Sequence, residues 1–388
     1  KRQVLQQWNL ADQSLIPGKA QTVFPDEKPG EKIDRDTLAL IPGPGQDQEP
    51  LLVASAEGDD RNMLQIWSGG KISQRFEDVS PATAFLALDH GKLISAHQRG
   101  PLRSWTRTAT SNGTTQLKPD KLIDAGVRVQ SLTHFKLQNQ DILVAGGNNG
   151  SLIVIRDDKV IQKIGPDQTG QVGPVRVAAL NTGAVISGDQ ASRIRWWTWQ
   201  STPGGKGALI AASKSPFDTR QQSIRALVAI SLEQQTSGNV LSAGADGSLR
   251  LLGQEPYGLA QPLYPHQNTA ATPAALSALT AWSRGGIVSG YEDGSICWWG
   301  SLADSPKIPT PRCQRLPQGE SITALASLGS EQLLFSASKA GTDGFLRLWK
   351  DLTVINDPKP STPIQAMLLL NNTDLVTGDD QGALQWWT

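Results

Sequence analysis

The sequence predicts an all-β fold, a propeller of four-stranded antiparallel blades, on three observations. One short phrase, a polar turn followed by a strand that mostly ends in Trp, is written eight times; a strand ending in small residues precedes each copy; and successive copies end 38 to 55 residues apart. That interval suits a propeller blade rather than a helical solenoid. The copies end at Trp67, Trp105, Ile155, Trp197, Leu252, Trp299, Trp349 and Trp387. Eight phrases imply eight blades, with seven blades and an irregular extra repeat as the alternative count.

Each blade reads as strands a to d in chain order. Strand a has the form apolar-x-small-apolar, as in 82–88, 127–132, 175–180, 224–230, 322–328 and 364–370. Strand b ends in small residues, as in 51–56, 92–96, 141–146, 184–188, 239–244, 286–290, 333–338 and 374–378. Strand c is the repeated phrase, and a weaker strand d follows, as in 72–76, 160–164 and 313–316. Short alternating runs bounded by turn residues are strand signals, and a four-strand meander is a blade. The adjacent pairs Trp196-Trp197, Trp298-Trp299 and Trp386-Trp387 point to opposite faces of one strand, as a strand sandwiched between neighbouring blades requires. Their recurrence at one structural position reads as packing, not as a sugar-binding or cofactor-stacking site.

The last phrase stops at Thr388 with no room for its strand d. Residues 3–10 form a detached strand, set apart from the first blade by a Pro/Gly-rich connecting segment over 11–36. They are expected to complete the last blade and remove a free sheet edge. The chain begins at Lys1 without Met, so a signal, an anchor or an upstream domain is expected to have preceded it.

Composition bounds the function. The 388 residues carry 36 Lys+Arg and 36 Asp+Glu, so no global field draws nucleic acid or an acidic membrane surface, and partner specificity must come from local patches. No apolar run approaches the roughly 18 residues of a transmembrane helix. His90, His97, His134 and His266 show no metal-ligand spacing, and no nucleophile elbow, phosphate loop or dinucleotide fingerprint is present. Asp59-Asp60, Asp157-Asp158 and Asp379-Asp380 read as turn chemistry. No catalytic residue, metal or cofactor is expected.

The turns Asp246-Gly247, Asp293-Gly294 and Asp343-Gly344, each followed by an alternating strand, resemble the WD-repeat family over nearly the whole chain. The family's Gly-His dipeptide is absent. Its His helps tie the turn Asp to a strand-b Ser or Thr and the strand-c Trp, so this hydrogen-bonded set is expected to be incomplete in every blade, with packing compensating. The resemblance implies a scaffold, and it places the start of strand a at the entrance of a central channel. Aligned there are Thr83, Arg128, Arg176, Arg225, Ser277, Thr323 and Gln365. Three consecutive arginines suit carboxylates or phosphates, which the guanidinium fork binds bidentately; alternatively each pairs with a neighbouring acid such as Asp189 or Asp246. Arg103, Arg195, Arg250 and Arg347 occupy strand c and read as structural.

The expected function is therefore a non-enzymatic scaffold for a protein or acidic peptide. The partner site comprises Arg128, Arg176 and Arg225 with the turn residues Asn148, Asn149, Asp189 and Gln190. The alternative is a small-ligand-binding or quinoprotein-like enzyme using the channel. Cys297 and Cys313 fall opposite each other in one hairpin, either as two buried thiols or as a cross-strand disulfide; a bridge would favour an extracytoplasmic location over a cytoplasmic one.

Overall fold

Eight antiparallel sheets carry almost all the regular structure. The computed structural model describes residues 32–41 and 50–387, apart from 58–61, 69–70, 78, 110–114, 139, 181, 202–206, 213–215, 231–238, 253–258, 264–273, 283–285, 301–309, 318, 329–331, 351, 361, 370–374 and 380–383. Seven sheets hold an a-b-c-d meander, one of them with a short fifth strand, the eighth shows three strands among the described residues, and the fold is an all-β, eight-bladed propeller. Strands a begin at Lys32, Ala82, Val129, Val175, Ile224, Leu276, Ser321 and Ile364 in blades 1 to 8. Blade 8 has three strands among the described residues, Ile364–Leu369, Leu375–Asp379 and Leu384–Trp387. The segment 3–10 expected to complete it lies outside the described residues, as do Asp59-Asp60 and His266.

Two differences from the sequence reading concern boundaries. Strand a of blade 1, Lys32–Ile41, begins inside the segment 11–36 read as a connection. In blade 7 the b–c hairpin runs two pairs further than expected, with Lys339 opposite Gly344 and Ala340 opposite Asp343. The turn therefore falls at Gly341, which takes the left-handed φ of 60°. Asp343-Gly344 lies in strand c instead, because the longer ladder adds two strand pairs.

The chain divides into two compact units, residues 82–275 with blades 2 to 5, and residues 1–81 with 276–388, holding blades 1, 6, 7 and 8. Within the first, Trp197 packs with Val144, Val154 and Val177 between blades 3 and 4. Its neighbour Trp196 packs with Ile186, Ile224 and Val240 between blades 4 and 5. One strand thus feeds two interblade cores, as the paired tryptophans predicted. Within the second unit, Trp298 and Trp349 share the core of blades 6 and 7 with edge-to-face rings 5.6 Å apart. Trp67 packs with Val376 and Leu384 between blades 1 and 8.

A hydrogen bond repeats through the cores. The strand-c indole Nε1 donates to a strand-b hydroxyl in five blades: Trp105 to Ser95, Trp197 to Ser187, Trp299 to Ser289 and Trp349 to Ser336 at 2.8 Å, and Trp387 to Thr377 at 2.7 Å. A buried indole N–H without an acceptor is costly. The small residues that end strand b therefore satisfy a donor as well as make room.

Candidate functional site

The residue after the first buried apolar position of strand a is fixed by that position. Ala82, Val129, Val175, Ile224, Ile322 and Ile364 are all buried there. This register makes Gln130, not Arg128, the counterpart of Arg176 and Arg225. The sequence allowed both readings because Val127 and Val129 alternate equally well. The structure decides by burying Val129 opposite Gly147, across a bulge in the ladder. Arg128 stands one residue earlier, its carbonyl accepting from the Asn148 amide at 2.9 Å, as Ser223 accepts from Ala245 in blade 5 at 2.8 Å.

The shift joins two of the arginines rather than separating them. Arg176 Nη1 donates to the Gln130 main-chain carbonyl at 3.0 Å. The Gln130 amide, oriented with its oxygen toward Arg128, accepts from Arg128 Nη2 at 2.9 Å and Nε at 2.8 Å. Arg128 and Arg225 are exposed and Arg176 half-buried. Among the described residues no carboxylate lies within ion-pair distance of any of the three. At the equivalent position elsewhere, Thr83 and Thr323 donate to the Val129 and Ile364 carbonyls of the next blade.

The turn residues divide by role. Asp189 is fully buried, its carboxylate accepting from the amides of Val172 (2.8 Å), Ala191 (3.0 Å) and Arg193 (2.8 Å) and pairing with the Arg193 guanidinium at 3.0 Å. It braces the turn and cannot meet a partner, which corrects its place in the expected site. Asn149 is exposed, but its Oδ1 accepts from Ser151 Oγ at 2.6 Å, as Asp246 accepts from Ser248 at 2.7 Å; it does the turn's own work. Asn148 and Gln190 remain exposed. The two acids expected to compete for the arginines, Asp189 and Asp246, are thus engaged elsewhere.

No family model matches the chain, and no curated protein matches it by sequence. Solved structures do. It is similar to Sqt1 of Chaetomium thermophilum bound to the N-terminus of the ribosomal protein L10, at a TM-score of 0.65 and 14% identity over 91% of this chain and 97% of that one. It is similar to BBS1N in complex with ARL6DN, at 0.56 and 13% over 99% and 95%. The WD40 repeats of RRP9 align at 0.51 and 17% over 78% and 88%. The chain has the WD40-repeat propeller fold. At these identities the likeness carries the fold alone.

The WD40-type hydrogen-bonded set is rebuilt rather than lost. In blade 4 the buried Gln171 takes the place of the missing His, accepting from Ser187 Oγ at 2.7 Å and donating to the Arg193 carbonyl at 3.0 Å. Gln221 does the same in blade 5 with Ser242 (2.6 Å) and the Ser248 carbonyl (2.9 Å). The expectation that packing alone compensates therefore fails in these blades. Both Gln residues stand three or four positions before the first buried residue of strand a, a spacing that marks them once an amide is allowed where the family has an imidazole. Ser95 meets His97 at 2.7 Å in blade 2, and in blade 6 Ser289 meets Tyr291, whose phenol pKa burial pushes up.

The strand-c arginines are structural where their contacts are seen. Arg195 donates to the carbonyls of Gln168 (2.6 Å) and Thr169 (2.8 Å) at the end of a short helix and lies 5.1 Å from the Trp197 ring. Burial draws its pKa down, as desolvation of a cation must. Asp157-Asp158 forms a turn with both residues left-handed, and Asp158 pairs with Lys92 at 2.7 Å. Cys297 and Cys313 face each other across the ladder and form a disulfide, not two thiols. No helix among the described residues is long and apolar enough to cross a membrane, and none of their acidic, His or Cys side chains cluster to hold a metal.

Proposed function

We propose that the chain is a non-enzymatic scaffold that binds an acidic segment of a protein partner at the strand-a ends of blades 3 to 5, through Arg128, Arg176 and Arg225 with Asn148 and Gln190 beside them. The observation that carries this reading is the set of three arginines without a carboxylate partner among the described residues, two of them linked through Gln130, in a chain of zero net charge. Guanidinium groups held in place by neutral hydrogen bonds keep their charge available for a bidentate anion. Two of the similar structures are complexes with a protein or a protein's N-terminus, which supports a protein partner here. Asp189 and Asn149 serve the site from beneath by fixing its turns.

The test compares proteins captured by the wild-type chain with those captured by Arg128→Ala/Arg176→Ala/Arg225→Ala and by Lys118→Ala/Lys159→Ala, a control on exposed strand-d lysines. Capture should weaken as salt is raised, disappear in the triple variant and persist in the control, with thermal unfolding unchanged in both. Recovery of the same proteins by the triple variant overturns the site.

A further inference from the structure

The loop that leads into strand a of blade 5 repeats the buried Thr and Gln of its blade 4 counterpart, Thr169-Gly170-Gln171, but puts side chains where blade 4 has the left-handed Gly170 and Gly173. Residues 217–223 alternate inward and outward: Thr219 and Gln221 are fully buried, whereas Arg220 and Gln222 are exposed. The two exposed residues are the strained ones, with φ of 56° and 61°, and Ser192 in the facing b–c turn has φ 68°. The b–c turns of blades 3, 5 and 6 put Gly150, Gly247 and Gly294 at the position of Ser192. A left-handed backbone is unfavourable for any residue with a β-carbon. It persists only where surrounding structure over-determines it.

That surrounding structure is on hand. Ser192 Oγ accepts from the Gln221 amide at 2.8 Å and lies 3.0 Å from Asp218 Oδ1. The Ser192 carbonyl accepts from Thr219 N at 2.8 Å and Oγ1 at 2.9 Å. Asp218 Oδ1 takes the Arg220 amide at 2.8 Å, and a two-residue strand, Phe217–Asp218, pairs with Arg193 and Ile194 as an extra edge on blade 4. The inward pair is locked so that the outward pair is displayed. Arg225 follows three residues after Gln222 and is also exposed. Across the same turn Val172, 44% exposed, is fastened by its amide to Asp189.

We propose that loop 217–223 is a preorganised recognition element that presents Arg220 and Gln222, beside Arg225, to an acidic peptide segment of the partner, with Val172 as its apolar contact. This rests on the arginine site proposed above and extends it from strand ends to a loop. Arg220 supplies a fork for a carboxylate or phosphate side chain; Gln222 offers a donor and an acceptor to the peptide's main chain. Preorganisation lowers the ordering cost of binding, which gives the strained conformation a use.

Glycine separates presentation from support, because it accepts the left-handed backbone and deletes only the side chain. The full chain is titrated by fluorescence anisotropy with three labelled peptides: alternating Glu and Ala, the same with phosphoserine for Glu, and alternating Lys and Ala. The wild type should bind one or both acidic peptides and not the Lys peptide. Arg220→Gly should weaken that binding about five-fold or more, with no fall in melting temperature. Gln222→Gly should weaken it less. Unchanged binding by Arg220→Gly and Gln222→Gly, alongside loss of binding by the Arg128/Arg176/Arg225 triple variant, overturns the loop and leaves the arginine site standing. Wild-type affinity in the triple variant overturns the arginine site itself. Failure of the wild type to bind either acidic peptide overturns both.

Discussion

Blades 4 and 7 carry an arginine at the same place in strand c and satisfy it by different means. In blade 7, Arg347 is buried and makes a bidentate pair with the buried Glu320, Nη1 to Oε2 at 2.6 Å and Nη2 to Oε1 at 2.9 Å, with Ser338 joined to the same carboxylate. In blade 4, Arg195 turns to main-chain carbonyls while the neutral Gln171 holds Ser187. The residue entering strand a is a charged partner of the strand-c arginine in blade 7 and a neutral partner of the strand-b serine in blade 4. Blades 4 and 5 both have Gln there, and in both an arginine, Arg176 or Arg225, has no carboxylate within ion-pair distance among the described residues.

Removing the carboxylate is the hardest test of that contrast. Glu320→Ala strands Arg347 in a buried site with Asp357 at 3.4 Å as its remaining acidic neighbour and should cost about 3 to 5 kcal/mol in urea unfolding. Glu320→Gln imports the blade 4 residue, keeps a hydrogen bond for Ser338 and should cost clearly less. Equal losses from the two would show that charge is not what distinguishes the blades.

Blade 6 uses a covalent tie instead, between Cys297 and Cys313, 16 residues apart. Cys313→Ser should lower stability by about 3 kcal/mol on the chain-entropy estimate. The wild type titrated in reductant should converge on the variant. A wild type indifferent to reductant would mean the bridge contributes nothing that the ladder does not.

The smallest expected effect sharpens the comparison from the blade 4 side. Gln171→Ala leaves the Arg193 carbonyl without its side-chain donor and Ser187 without an acceptor, a loss of about 1 to 3 kcal/mol. Gln171→His, the residue type WD-repeat proteins use there, should recover most of it, as measured by the unfolding midpoint. If His is no better than Ala, the amide is not filling the imidazole's place.

Much of this was legible in the chain. The repeated phrase and its spacing determine eight antiparallel sheets, and adjacent tryptophans determine a strand c buried on both faces, because side-chain alternation and turn chemistry are local properties. What the tertiary structure alone decided is finer. Val127 and Val129 fit strand a equally well, and only packing against the neighbouring blades buries Val129, moving Arg128 off the position of Arg176 and bringing both to Gln130. Asp189 looked like any turn acid until three amides converged on it. Gln171, Gln221 and Glu320 are plain polar residues in sequence; their partners lie 16 to 27 positions away, and a hydrogen bond across that distance exists only once the sheets have formed.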